Sequence, residues 1–501
     1  MWGVVVRGTA VVIGGGLGGL ATAIRLRHAG WRVTLLEKNA RIGGRANVIQ
    51  SDGFTFDTGP TLLLMRDVLD DLFLSVGRRL EDYLELIRVH PNYLVTFGDG
   101  STLEVSSDLD RMGSQMEGFE VGSRQAFRRY IDDGGYKYRV SRDRFVERNF
   151  NHWYQFTTPR NLYYLLTTNT LRKLDRHAER YFEDPRLVAA FTFQTMYLGL
   201  APADAPAVYS LLPYTELEEG IWYPRGGMYR IVEALQEVAI EMGVEIRAGT
   251  EAVAVDNQSR HIYAVRLADG SSVRADVVVS NADLPYTYQH LVPTNRRGRF
   301  TNRTLRRLDY GSSAFLLYLG TDREYPELLH HNVYLTQNTA DNFDAIFKRH
   351  ELPGEPSLYV AAPSRTDRSL APAGHECIYV LVPVPSLSPT IDWSVEKERY
   401  RDLVLDRLEM VGVRGLRRHT VFERVFTPED FAREYHILNG SAFGLSHNFR
   451  QVGYLRPANK ARELDNLYFV GASTVPGGGV PMVIIGSRLT AQRVEQDWSR
   501  G

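Results

Sequence analysis

The chain has 501 residues, 44% of them hydrophobic and 24% charged, which excludes collagen-like, coiled-coil and disordered readings. Lys and Arg number 59 against 60 Asp and Glu, a net charge of −1, so no long-range field draws in nucleic acid. The single cysteine, Cys377, excludes an intrachain disulfide and a multi-cysteine metal site; this suits a reducing cytosol, and no apolar run approaches the ~20 residues that a membrane-spanning helix needs.

The chain opens as strand, turn, helix, strand. Thr9 to Ile13 is a short β-branched run expected to be buried on both faces, and the apolar stretch before it reads as part of a buried strand rather than a secretion signal. Gly14 to Gly19 form the turn, Leu20 to Ala29 the helix, and Trp31 to Leu36 the next strand, with Glu37 at its end. Residues 66–200 read as mainly helical, with aromatics gathered between Trp153 and Tyr197. Strand signals then recur at Val244–Val255, Ile262–Leu267, Val273–Ser280, Ser313–Leu319, Leu358–Ala362 and Cys377–Val384. The end reads as strand, glycine loop, helix: Leu467–Val470, Gly471–Gly479, then Met482 to about Trp498.

Gly14, Gly16 and Gly19 satisfy G-x-G-x-x-G in the required context of strand before and helix after. The first glycine permits the tight turn, the second lets a pyrophosphate reach the backbone, and the third lets helix and sheet pack closely. The helix N-terminus offers free N–H groups to the phosphates. Glu37, 21 residues after Gly16, is placed to bond ribose hydroxyls and argues against a 2′-phosphate. Two features point to FAD rather than NAD. Arg41-Ile42-Gly43-Gly44-Arg45 follows the acid and presents backbone N–H groups and cations to a phosphate. Gly471 to Met482 supplies a second glycine loop before a helix, suited to the electron-rich side of a reduced flavin. His330-His331 reads as a solvated loop rather than a metal site, and no H-E-x-x-H spacing occurs.

Thr9–Gly19, Glu37, Arg41–Arg45 and Phe56-Asp57-Thr58-Gly59-Pro60-Thr61 resemble the flavin amine-oxidase and carotenoid-desaturase superfamily. Asn466 to Pro481 resembles the signature of bacterial phytoene-desaturase-type carotenoid dehydrogenases, and Tyr223–Met228, Asp367–Gly374 and Gly440–Gly444 agree in the same order. The resemblance implies an α/β protein: a Rossmann-like FAD-binding domain interrupted in sequence (9–70, 215–285 and 421–501), a helical, membrane-facing lid (71–214) and a mixed-sheet substrate domain (286–420). It places Gly14, Gly16 and Gly19 at the pyrophosphate, Glu37 at the adenosine ribose, Arg45 near the phosphates, and Val253 with its backbone at adenine, with Gly18, Lys38, Gly59, Pro60 and Thr61 also binding the cofactor. Gly471, Ala472, Gly479, Val480 and Met482 would line the flavin and ribityl chain. Val475 stands where many members carry His, and Phe156–Asn161 contains no acid, so no catalytic residue is carried over.

The implied reaction introduces double bonds into phytoene or a C30 analogue, with oxygen or a quinone reoxidising the FAD. Its substrate needs an apolar tunnel, for which Phe193, Met196, Tyr197, Phe315 and Leu317 are candidate linings, with Phe191, Leu316 and Tyr318 beside them. Trp153–Phe156 and Leu162–Leu166, with Arg160, Arg172 and Lys173, form a candidate surface for peripheral membrane contact of a cytoplasmic protein; a buried lid is the other reading. Within the resemblance, a carotenoid isomerase, a saturase or a late-pathway 3,4-desaturase stays open. A flavin amine oxidase follows, and then a non-catalytic prenyl-lipid chaperone related to GDP dissociation inhibitors.

Overall fold

The computed structural model describes residues 7–499; the first residues of the N-terminal apolar stretch and the last two of the expected FAD-domain segment lie outside them. A parallel five-stranded sheet has the order Leu467–Phe469, Val277–Ser280, Thr9–Ile13, Arg32–Leu36, Glu245–Arg247. Val11 pairs with both Val278 and Thr34, and Val279 pairs with Tyr468. The C-terminal strand is therefore one strand away from the N-terminal one. Burial on both faces explains why Ala10–Ile13 is apolar throughout. Ala10 and Val12 pack towards the helices Leu17–His28, Tyr229–Glu241 and Val480–Trp498. Val11 and Ile13 pack against the antiparallel sheet Ala252–Gln258, His261–Leu267, Ser272–Arg274 on the other side.

A second, seven-stranded sheet runs Thr420–Phe426, Ser313–Thr321, Glu376–Val384, Leu358–Ala361, His331–Tyr334, Tyr93–Thr96, Thr102–Val105. Its two longest strands pair antiparallel, from Ser313 opposite Val384 to Thr321 opposite Glu376. Helix Trp393–Met410 covers one face, and the other face turns towards the interior of the molecule.

Three expectations need correction. The stretch 66–200 also holds strands Leu86–Val89, Tyr93–Thr96 and Thr102–Val105. Each is four residues long: Tyr93–Thr96 and Thr102–Val105 form a local hairpin, whereas Leu86–Val89 pairs with Ile221–Pro224 and Leu94 pairs with Asn332, partners far away in sequence. Val273–Ser280 is two strands in two sheets, separated at Ala275-Asp276. Thr420–Phe426 lies almost wholly in the segment assigned to the FAD domain, yet it pairs with Ser313–Thr321 in the seven-stranded sheet.

The lid contains helices Ser123–Ser141 and Pro159–Thr167. The second starts where it does because Thr158 accepts the Asn161 N–H at 3.2 Å and Pro159 occupies the first turn, where its missing N–H removes no helical bond.

Candidate active site

The first glycine turn is shaped by contacts that side chains would break. Gly14 has φ 98°, in the left-handed region. A Cβ on Gly19 would sit 2.1 Å from the Gly14 carbonyl oxygen, so the third glycine is demanded by the crossing of turn and helix rather than by direct contact with a ligand. Helix Leu17–His28 begins at Gly16 without a side-chain cap, leaving its first N–H groups free for an anion. Gly43 donates its N–H to the Gly15 carbonyl at 2.9 Å, which folds the Arg41–Arg45 loop onto the turn. Gly59 meets the same loop: a Cβ there would lie 2.0 Å from the Arg45 carbonyl oxygen.

Glu37 ties this cradle together. One carboxylate oxygen accepts the Gly15 N–H at 2.8 Å and the other accepts the Asn39 N–H at 2.9 Å. Asn281, which sequence reasoning missed, completes the turn from the next strand. Its side-chain amide donates to the Gly14 carbonyl at 3.3 Å, and its side chain occupies the space that Gly16 and Gly18 leave open. The available signal was its position just past the carboxyl end of Val277–Ser280, where ligands of parallel sheets bind. Arg45 donates to the Ala442 carbonyl at 2.8 Å and keeps part of its surface towards the cavity. Burial draws its guanidinium below the usual arginine range, and Asp283 opposes that shift.

The C-terminal loop closes on the same space. A cavity of about 910 Å³ is lined by Gly14, Gly16, Gly18, Glu37, Lys38, Arg45, Gly59, Pro60 and Thr61. The same cavity is lined by Gly471, Ala472, Gly479, Val480 and Met482. The loop is held from behind by Arg456, whose buried guanidinium donates to the carbonyls of Thr474 (3.0 Å), Ser446 (3.1 Å), Gln451 (3.2 Å), Leu445 (3.0 Å) and Ala472. Burial lowers Arg456 to about 10. Helix Val480–Trp498 follows Gly479 with no side-chain cap, a second set of free N–H groups facing the cavity.

An imidazole does reach this loop despite Val475. His447 Nε2 accepts the Gly478 N–H at 3.3 Å, its Nδ1 meets the Tyr209 hydroxyl at 3.2 Å, and Gly477 leaves it room that a Cβ would fill at 2.2 Å. Burial holds His447 neutral, well below the ordinary histidine range. Ser473 donates to Asp283, whose carboxyl is pushed up by the same cause.

Beyond this cradle the cavity becomes apolar, with Phe193, Met196, Tyr197, Ala314, Leu316 and Leu381 in its wall. Phe315 and Leu317 do not line it. They point to the opposite face, against Trp393, Tyr400 and Leu405, while their neighbours Ala314 and Leu316 face the cavity. Every residue of Ser313–Thr321 is buried, so composition carries no cue to the face. Phe191 is ordinary core, stacked on Phe182 at 5.2 Å. Val253 points outward at 38% exposure, and its neighbours Glu251 and Ala252 line the cavity instead. His330 and His331 are buried, not solvated: His330 meets Thr366 at 2.6 Å, and His331 opens a strand and meets the Tyr359 hydroxyl at 2.7 Å. Cys377 lies apart from the cavity wall, its thiol donating to the Leu370 carbonyl at 3.0 Å and raised by burial to about 12.

These features fit a flavin dinucleotide: an anion cradle at one helix start, a carboxylate at the second strand end, and a second uncapped helix start across a single cavity. Comparison with known proteins agrees. The model of the flavin containing amine oxidoreductases matches residues 17–495. The chain is 45% identical over 485 residues to a zeta-carotene-forming phytoene desaturase of Myxococcus xanthus, covering 97% of this chain and 93% of that protein. It is 36% identical over 494 residues to a 4,4'-diapolycopene oxygenase of a Methylomonas species, covering 97% and 98%. Among solved structures, an oxidoreductase from Methanosarcina mazei aligns with a TM-score of 0.66 at 18% identity, covering 97% of this chain and all of that one (100%), a likeness of fold. The chain belongs to the flavin containing amine oxidoreductase family, and its cofactor is FAD.

Proposed function

We propose that the protein is an FAD-dependent carotenoid desaturase that introduces double bonds into phytoene or a C30 analogue. The observation that carries this reading is the continuity of one cavity, from the dinucleotide cradle at Gly16 and Gly479 to an apolar channel walled by Phe193, Met196 and Leu316. The 45% identity to a phytoene desaturase supports it. Desaturation removes a hydride from one carbon and a proton from its neighbour, and adjacent double bonds delocalise the charge between the two events. FAD supplies the two-electron acceptor. The chain's own residues bind and align: the glycine turns, Glu37 and Arg45 fix the dinucleotide, Arg456 fixes the loop over it, and the channel excludes water.

The same reading makes the protein a peripheral membrane protein on the cytoplasmic side, its FAD reoxidised by oxygen or a quinone. Trp153, Tyr163, Leu166 and Leu171 are 65%, 61%, 70% and 78% exposed. Their neighbours Phe156, Leu165, Thr168 and Thr170 line the cavity, so the apolar surface borders an entrance to it. Arg160, Arg172 and Lys173 supply cations for lipid phosphates. No helix among the described residues is long and apolar enough to cross a membrane.

Expression in bacteria making phytoene, and separately in bacteria making the C30 analogue, tests the activity through pigment spectra and product masses. A longer chromophore with loss of hydrogen is expected. No new chromophore in either host, with soluble FAD-loaded protein, overturns the reading, and gain of oxygen without new unsaturation replaces it. Leu166→Glu with Leu171→Glu should reduce co-sedimentation with anionic vesicles at unchanged FAD content; undiminished co-sedimentation rejects this docking surface. Reoxidation of the reduced enzyme by a soluble quinone without oxygen tests the acceptor.

A further inference from the structure

A polar cluster is set into the wall of the apolar channel and has no part in holding the dinucleotide. Glu216 is buried on the irregular turn Thr215–Glu219. One carboxylate oxygen accepts the Tyr93 hydroxyl at 2.8 Å and the Gln194 amide at 3.4 Å. The other has no hydrogen-bond partner, and no Lys or Arg forms an ion pair with Glu216 among the described residues. Gln194 also donates to Tyr93 at 3.1 Å, and the Asn92 side chain donates to the Glu216 carbonyl at 2.6 Å, so the carboxyl is held rigidly.

Tyr197 bridges this cluster to the cavity. Tyr197 lines the channel with Met196 and Phe193; its ring meets Phe193 edge-on at 6.0 Å, Phe193 meets Tyr93 edge-on at 5.7 Å, and the Tyr197 hydroxyl faces the Glu216 carboxyl. Tyr359 lines the same stretch of wall. Its hydroxyl meets Thr61 at 2.6 Å and His331 at 2.7 Å, and Thr61 directly follows Gly59 and Pro60 of the cradle. The cluster therefore borders the channel at its dinucleotide end. An uncompensated buried carboxylate of this kind is costly, and a partly accessible proton is the usual resolution.

We propose that Tyr197 and Glu216 form the proton exit of the desaturation. This rests on the desaturase reading. The Tyr197 oxygen takes the proton from the carbon beside the one that has lost its hydride, while the phenolic proton passes to the unpartnered oxygen of Glu216. The electron pair of the broken C–H bond becomes the second bond of the new C=C. The substrate is oxidised, FAD is reduced by the hydride, and the proton rests on Glu216 until it reaches water. Burial raises the Glu216 carboxyl to about 7, a basicity suited to accepting and releasing a proton near neutrality. The groups facing it do not titrate there: burial pushes Tyr93, Tyr197 and Tyr359 above their ordinary range and keeps His331 neutral.

The test uses the FAD-loaded protein with phytoene or the C30 analogue in vesicles. Glu216→Gln should lower kcat about 100-fold, within the range for loss of a proton acceptor, with KM little changed. It should also erase the rise of kcat through neutral pH, and Glu216→Asp should restore part of both. Tyr197→Phe, which keeps the ring, should lose the same pH limb and covers the case in which Glu216→Gln fails to fold. Infrared titration without substrate should show a carboxyl band disappearing near neutrality in the wild type and missing from Glu216→Gln. Retained kcat with an unchanged profile in Glu216→Gln, or no titrating band, overturns the proton exit alone. A wild type that holds FAD and shows the band yet converts neither polyene overturns the desaturase reading, and this role with it.

Discussion

The dinucleotide cradle and the apolar channel share one cavity but are built in different ways. In the cradle, backbone N–H groups of an uncapped helix start face the cavity, and the constraint falls on residues that must lack a side chain. Gly19 and Gly59 would each drive a Cβ into a carbonyl oxygen, at 2.1 and 2.0 Å. In the channel, side chains of common apolar types do the lining, and the face of the strand decides which ones. Leu316 and Leu317 are equally buried neighbours, yet one meets the cavity and the other meets the Trp393–Met410 helix. A binding surface made of backbone writes itself into short sequence, whereas one made of side chains depends on tertiary register.

Breaking the cradle should have the largest effect. Gly19→Val forces the turn and helix apart, and purified protein should carry no FAD by absorbance after gel filtration; full occupancy would show that the contact at Gly14 yields easily. The channel strand offers a sharper contrast. Phe315 stacks on Trp393 at 5.6 Å, away from the cavity. Phe315→Ala should therefore cost about 3–5 kcal/mol in denaturant unfolding while the folded fraction keeps its turnover. Leu316→Phe should retain FAD and slow turnover by narrowing the channel. Equal effects of the two changes on stability and turnover would erase the distinction between the faces. Glu37→Ala removes the acceptor of two backbone N–H groups, and FAD retention should fall about tenfold in equilibrium dialysis, the scale of one charge-assisted bond.

Legibility follows the same division. The three glycines, Glu37, the Arg41–Arg45 loop and the C-terminal glycine loop were readable because their residue types are dictated by backbone geometry within a few positions. Asn281 was not, because its bond to the Gly14 carbonyl spans strands far apart in sequence. Arg456 was hidden for a different reason: the carbonyls it gathers lie 5 to 18 residues away, at no regular spacing, in irregular loops around Leu445, Gln451 and Thr474. Strand Tyr93–Thr96 forms a local hairpin with Thr102–Val105, but its place in the large sheet is set by His331–Tyr334, far away in sequence. Phe315 and Leu317 were misplaced because a strand buried on both faces shows no alternation between apolar and polar residues. The His330-His331 pair, read as polar surface, is buried by the same sheet.

The last contrast lies in stability against pH, where the two regions differ again. The anchoring carboxylate of the cradle, Glu37, accepts two backbone N–H groups, whereas Glu216 at the channel has one unpartnered oxygen and only neutral donors. Burial raises Glu216 from 4.5 to about 7, so the folded state binds its proton more tightly than the unfolded chain does. The stability this contributes is complete below the unfolded value, shrinks as pH climbs, and is gone once pH passes the folded value near 7. Over that window the loss amounts to about 3 kcal/mol at most, from ~1.4 kcal/mol per pH unit. Glu216→Gln, which keeps the shape and cannot ionise, should flatten this part of the curve, so that its stability relative to the wild type rises between about pH 5 and 8. Asp57 is also raised, to about 6, while accepting the Tyr223 hydroxyl at 2.8 Å and two N–H groups. It should leave a residual slope at lower pH in the Glu216→Gln protein, and Asp57→Asn should remove that residue of pH dependence only by giving up an acceptor of backbone N–H groups. Urea unfolding across this pH range separates the two carboxyls; parallel curves for wild type and Glu216→Gln would mean that Glu216 is ionised in the folded protein at all of these pH values.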